Sequence, residues 1–249
     1  MVLDESGQPV QGATVDFLWT HVHPEADFKT NTFSDARGLF SLVGVNGAGL
    51  DVYVRKPGYY AVRSLDRNNF NYLKLAGDQP FAPDPSNPVV FHLRKKGPGT
   101  ALITSQNGML PELEVTVPRN GVPVLVNLLS RKTGSEGQLQ ITQTKPQYLE
   151  AKNATAWSFQ LQIPSGGLVE QNDEFPFDAP ETGYQPVVAF QFNKGQTNWA
   201  RTLKKSYYIA FGQPPQYGWL TVETAIGWGG ARLRYAINPD GSRYLEPKN

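Results

Sequence analysis

The sequence predicts an all-β protein built of two β-sandwich domains, and three observations carry that reading. Turn-forming clusters recur about every eight to twelve residues: ESGQP, NGAG, KPG, DPSNP, RNG, PSGG, KGQ, PPQYG, GWGG and NPDGS. The stretches between them are short and either alternating or β-branched, and none keeps a helical period. Composition agrees: 12% of residues are aromatic and 24 Gly and 20 Pro supply the turns, while only 18% are charged.

Taken in order, the candidate strands of the first third are 13–20, 28–34, 39–43, 50–56 and 89–93. In the first of these Val15 and Phe17 alternate with Asp16, which gives one apolar face. A short helical turn is expected around 64–72. The run RKKGPGT at 94–100 places three basic residues before Gly-Pro-Gly, so a domain boundary is expected there, dividing the chain into 1–96 and 97–249. The second domain reads as a larger, jelly-roll-like sandwich. Its candidate strands are 113–117, 122–129, 139–143, 156–163, 187–192, 207–211, 218–224 and 231–237. Trp157 and Phe159 alternate on one of them, and Tyr207, Ile209 and Phe211 share a face of another. Tyr217 and Trp219 oppose Leu220 and Val222. Lys204 and Lys205 are expected to guard a sheet edge.

Three motifs in the first domain lie in a family order. Gly7-Gln8-Pro9-Val10-Gln11-Gly12-Ala13-Thr14-Val15 is a turn leading into a strand. Ser34-Asp35-Ala36-Arg37-Gly38-Leu39-Phe40 is an acidic turn followed by Gly-x-Phe, and Val54-Arg55-Lys56-Pro57-Gly58-Tyr59 ends a strand on a Gly-Tyr corner. In these residues the domain resembles the carboxypeptidase regulatory-like family. The resemblance implies a transthyretin-like (prealbumin-like) sandwich of the kind used as spacer, adhesion module or regulator in extracellular and envelope proteins. Asp35 is expected to close an Asx-turn and Phe40 to enter the core. Met1 runs straight into what reads as the tail of a first strand, so a leader and part of that strand are expected to have been removed. The end of the chain, Tyr235 to Glu246, resembles the closing strand and tail of bacterial envelope β-proteins, with Arg243 and Glu246 expected to tie the tail down as an ion pair.

The function classes narrow by exclusion. A net charge of +1 builds in no pull toward nucleic acid. The absence of cysteine removes disulfides, thiolate ligands and cysteine nucleophiles. No apolar run approaches the ~20 residues of a membrane helix. Gly-x-Ser-x-Gly, P-loop, Gly-x-Gly-x-x-Gly and His-Glu-x-x-His patterns are all missing.

Two residue sets remain. His21 and His23 are spaced to share a strand face and are the candidate metal ligands, with His92 as a third nitrogen. Intradiol dioxygenases, distant relatives of the transthyretin-like sandwich, bind iron through two tyrosines and such a pair. Here Pro24 follows at once and no tyrosine lies in the next twenty-five residues, so a loop is the expected role and no cofactor is expected. The second set is Asn198, Trp199, Arg201, Trp228 and Arg232, in the glycine-rich stretches GQTNWAR and IGWGGAR. Aromatic faces beside amides and guanidinium groups grip sugar rings. The acidic run Glu170, Asp173, Glu174, Asp178 and Glu181 is expected to be a solvated loop.

The expectation is therefore a non-catalytic, extracytoplasmic accessory or adhesion protein that recognises a glycan or another envelope component through Trp199 and Trp228. The alternatives are a β-sandwich enzyme using His21 and His23 or the acidic run 170–181, and a structural spacer without ligand.

Overall fold

The computed structural model describes residues 1–22, 25–62, 68–73, 79–106, 111–146 and 155–248. The elements among them are eighteen β-strands, and the chain is all-β. It divides into two compact units, Met1–Gly97 and Pro98–Asn249. No helix among the described residues is long and apolar enough to cross a membrane.

In the first unit β2 (Thr14–Val22) and β3 (Glu25–Phe33) form a long hairpin, in register from Thr14 opposite Phe33 to Val22 opposite Glu25. With β4 (Gly49–Arg55) and β6 (Asn69–Asn71) they make a sheet of order β3-β2-β4-β6. A second sheet has the order β1-β7-β5, from β1 (Val2–Asp4), β5 (Tyr59–Ala61) and β7 (Phe91–Lys95), with β1 and β7 parallel. Period-2 alternation turns Val15 and Phe17 of β2 and Val52 and Val54 of β4 into one buried cluster with Val2, Phe91 and Leu93 of the other sheet. Each such side chain contributes about 1.5–3 kcal/mol by leaving water.

The acidic turn forms as the side chains require. Asp35 Oδ1 accepts from the backbone N–H of Arg37 and of Leu39, both at 2.8 Å. These bonds, that from Leu39 foremost, hold its carboxyl below the usual range. Gly38 follows at φ +71°, and a Cβ there would lie 2.4 Å from the Val2 carbonyl oxygen, so no other residue fits. Phe40 packs on the core with its ring 5.9 Å from Phe17 and 5.7 Å from Phe91. The stretch 39–43 nevertheless forms no strand. Its apolar residues Phe40 and Leu42 lie over the core without joining a ladder, and alternation alone does not separate half-buried coil from strand. The hairpin runs two residues beyond the expected strand end at Thr20. Of the expected helical turn, residues 64–67 lie outside the described residues, and Asn69–Asn71 is strand.

The second unit has a five-stranded sheet, order β11-β10-β12-β13-β15. Its members are β10 (Val124–Asn127), β11 (Lys132–Gly134), β12 (Leu139–Thr144), β13 (Trp157–Gln162) and β15 (Val187–Phe192). The other sheet has the order β14-β16-β17-β18-β8: β8 (Ile103–Thr104), β14 (Gly166–Glu170), β16 (Thr202–Phe211), β17 (Gln216–Ala225) and β18 (Gly230–Asn238). The short β9 (Leu113–Thr116) also pairs with β18. Residues of both sheets share one core. Ile141, Phe159 and Leu161 of the first join Ile209, Leu220 and Leu233 of the second, all fully buried. Tyr235 is buried among them, and its hydroxyl donates to the Leu128 carbonyl at 2.8 Å.

The opposite face of β16 and β17 is covered too. Tyr208, Ala179 and Leu245 form a small buried cluster flanked by Tyr217 and Trp219. The segment 171–185 and the tail are stitched across it, with Leu245 N–H donating to Phe177 O at 2.7 Å and Ala179 N–H to Arg243 O at 2.9 Å. Arg243 Nη1 returns a bond to Ala179 O at 3.1 Å, and the Tyr244 hydroxyl donates to the Glu246 carboxylate. Because β14 flanks β16, Lys205 guards no edge; its Nζ lies 2.7 Å from Glu170 Oε1 on β14.

Candidate functional site at one end of the six-stranded sheet

The long β16–β17 hairpin places the tryptophan loops together. Thr202 pairs with Ala225, and Ile226 N–H donates to Arg201 O at 3.0 Å just beyond. The chain then turns through 226–229 into β18 at Gly230. Asn198, Trp199 and Arg201 therefore enter β16 at the end of the sheet where Trp228 caps the β17–β18 turn. A Cβ on Gly230 would lie 1.9 Å from Val115 O on β9, so the absence of a side chain there lets β9 close the turn from the far side.

The two indoles are held differently. Trp199 is half-buried against the core, and its ring N–H donates to Thr155 O at 3.0 Å. Trp228 is half-buried, with its backbone N–H on Ala225 O at 2.9 Å. The Arg232 guanidinium carbon sits 4.7 Å from the centre of the Trp228 ring, and Arg232 Nε is 3.2 Å from Glu114 Oε1. One indole thus has its polar edge committed, and the other carries a cation on its face, a contact of about 0.5–1 kcal/mol at an exposed site. Asn198, Arg201 and Arg232 are exposed.

Beneath this surface lies a lysine that the sequence reading missed. Lys145 is 5% exposed. Its Nζ donates to Thr224 Oγ1 at 2.7 Å and to Trp228 O at 3.3 Å, and stands 5.6 Å from the centre of the Trp157 ring. Burial, aided by the nearby Arg119 cation, pushes its pKa down to about 8. Arg119 itself bonds Pro146 O at 2.8 Å and Gly227 O at 3.0 Å, so it clamps the Trp228 turn. The signal was present: Gln143 and Lys145 continue the inward alternation of Leu139 and Ile141, so polar residues occupy apolar positions. Gln143 Nε2 bonds Val117 O at 2.6 Å, and its Oε1 has no partner among the described residues.

The other candidates are scattered. His21 stands opposite Ala26 in the β2–β3 ladder; its side chain and all of His23 lie outside the described residues. His92 is half-buried on β7, in the other sheet of the first unit. Among the described residues no group of three His, Asp or Glu could hold a metal ion. The acidic run is committed to structure more than expected. Glu170 pairs with Lys205, Asp173 Oδ2 accepts the Tyr208 hydroxyl at 2.7 Å, and Asp178 bridges to Tyr244 in the layer covering the sheet. Burial, with Asp173 second, raises the Tyr208 pKa well above that of a free phenol. No family model, curated protein or solved structure matches the chain.

Proposed function

We propose that the chain is a non-catalytic, extracytoplasmic bacterial accessory or adhesion protein that recognises a glycan or another envelope component. In this reading its two units are β-sandwiches, the first transthyretin-like and of the carboxypeptidase regulatory-like kind, the second jelly-roll-like. Support for the sandwiches comes from the apolar core that each pair of sheets shares. Support for the resemblance comes from the Asx-turn at Asp35 and from Phe40 seated on the core.

The observation that carries the function is the convergence of Trp199 and Trp228 at one sheet end, beside exposed Asn198, Arg201 and Arg232. The Trp199 indole is fixed by core packing and its bond to Thr155 O, and the Trp228 ring carries the Arg232 guanidinium on its face, so part of the ordering cost of a stacked sugar is met before binding. The guanidinium and amide groups supply donors for hydroxyls or acidic substituents around the rings.

A glycan array probed with the labelled protein tests this. Retention is expected to fall about tenfold or more in Trp228→Ala and in Arg201→Ala, the loss of a stacked ring or a charged bond being worth over 1 kcal/mol. Both variants spare the core-packed Trp199, and circular dichroism checks that they keep the native spectrum. Retention unchanged in both rejects the site.

A further inference from the structure

The larger sheet of the first unit ends on a long strand whose outer edge is open. β3 runs nine residues, stands last in the sheet order and pairs only with β2 among the described residues. Residues 27–31 are all exposed, whichever face of the sheet they occupy. Natural edges are blunted by proline, by a bulge or by charges turned inward. Here the β2–β3 ladder is unbroken, no proline lies in 25–33, and Phe28, Thr30 and Thr32, on the core-side face, carry no charge.

The ladder fixes which backbone groups face outward. The Ala48 N–H donates to Thr20 O at 2.9 Å, so Thr20 turns its carbonyl toward β4. The Ser34 N–H donates to Ala13 O at 3.0 Å, so Ala13 turns its carbonyl toward the β3 side. By alternation the odd residues of β2 bond β3, and their partners Ala26, Phe28, Thr30 and Thr32 point back at β2. The N–H and C=O of Asp27, Lys29 and Asn31 therefore point off the open edge. Asp27 and Lys29 share the outer face two residues apart. Asp27 Oδ1 accepts the Thr20 hydroxyl at 2.8 Å, and Lys29 forms no ion pair with a described residue.

We propose that β3 pairs with β3 of a second copy of this chain, antiparallel about a two-fold axis at Phe28, to form one continuous sheet. In this register Asp27 faces the partner's Lys29 on both sides of the axis, and each such pair exchanges both backbone bonds. The two Phe28 rings, each 43% exposed, meet on the core side. A shift of register in either direction sets Lys29 against Lys29 or Asp27 against Asp27, which like-charge repulsion disfavours. A foreign strand would also fit the edge, but the self-complementary charges single out a second copy. Pairing of this extent buries less than about 1,200 Å², the range of transient contacts, so a Kd of about 10–100 µM is expected.

Sedimentation equilibrium of the whole chain from ~5 to ~500 µM, with no glycan present, is expected to show a monomer–dimer equilibrium. Lys29→Asp and Asp27→Lys each set like charges opposite one another in both pairs and are each expected to weaken self-association about tenfold or more. An equimolar mixture of the two variants is expected to regain the dimer to within about threefold, since every pair is then of opposite charge. Circular dichroism checks that both keep the native spectrum. In the unmodified chain, amide exchange at Asp27, Lys29 and Asn31 is expected to slow as concentration rises, while Phe28, bonded to β2, is protected throughout. A monomer at ~500 µM, a dimer untouched by either substitution, folded variants that do not associate when mixed, or edge amides that exchange alike at both concentrations overturns the proposal. None of these readings involves Trp228, so the outcome is separate from that of the glycan array.

Discussion

Lys145→Met tests the electrostatics beneath the tryptophan loops. In the folded chain burial brings the Lys145 pKa down to about 8, whereas in the unfolded chain the amine keeps its proton up to its ordinary value of 10.5. Between those values the unfolded state binds one more proton than the native state, so stability rises with pH. From pH 8 to pH 10 the rise has a ceiling of about 2.7 kcal/mol, at about 1.4 kcal/mol per pH unit. Screening and local relaxation bring the expected value to about 1–2 kcal/mol. Above pH 10 the slope reverses, because tyrosines such as Tyr235, whose pKa burial pushes up to about 12, ionise first in the unfolded chain. Methionine fills similar volume against the Trp157 ring and removes the titration. It does not orphan Thr224, whose hydroxyl still donates to Gly230 O at 2.7 Å. Urea unfolding at pH 7, 8, 9 and 10 gives both profiles. The unmodified chain is expected to gain about 1–2 kcal/mol on Lys145→Met across pH 8–10. Parallel profiles would refute the claim that burial perturbs this lysine.

Three further outcomes follow from the packing. Gly230→Ala forces a Cβ against the Val115 carbonyl, where only backbone can yield, and is expected to cost about 3 kcal/mol or more in urea unfolding. Tyr235→Phe leaves the buried Leu128 carbonyl without its hydroxyl donor and is expected to cost about 1–2 kcal/mol by the same measurement. Lys205→Ala breaks the pair with Glu170, in which both side chains are solvent-exposed, and is expected to lower the melting temperature by no more than about 2 °C.

The strands were legible where burial is one-sided. Val15 and Phe17, Trp157 and Phe159, and Leu220 and Val222 alternate in sequence because one face of each strand meets the core, and all six are buried. Short strands carried too little pattern to be read. Three residues such as Tyr59–Ala61 hold one alternation at most, and their pairing is set by strands distant in sequence. PSGG at 164–167 was read as a turn because of its glycines, yet Gly166 and Gly167 open the strand Gly166–Glu170. Those glycines are required by close backbone: a Cβ on Gly166 would lie 1.9 Å from Ala210 O. The acidic run keeps Glu170, Asp173, Asp178 and Glu181 exposed, as expected of a solvated loop, while Phe177 and Ala179 between them are buried against the sheet, which the carboxylates masked in the sequence. At the tryptophan site, residue types and turn positions pointed to the loops. The Arg232 cation on Trp228 and the Thr155 bond of Trp199 depend on strand register, which the sequence does not display.

The most direct measurement is a ¹H–¹⁵N spectrum of the five tryptophan indoles, titrated with the glycan retained most strongly on the array. The account requires the Trp228 signal to move in step with binding, while Trp157, buried in the core, stays fixed. A glycan that binds and leaves Trp228 unmoved would contradict it.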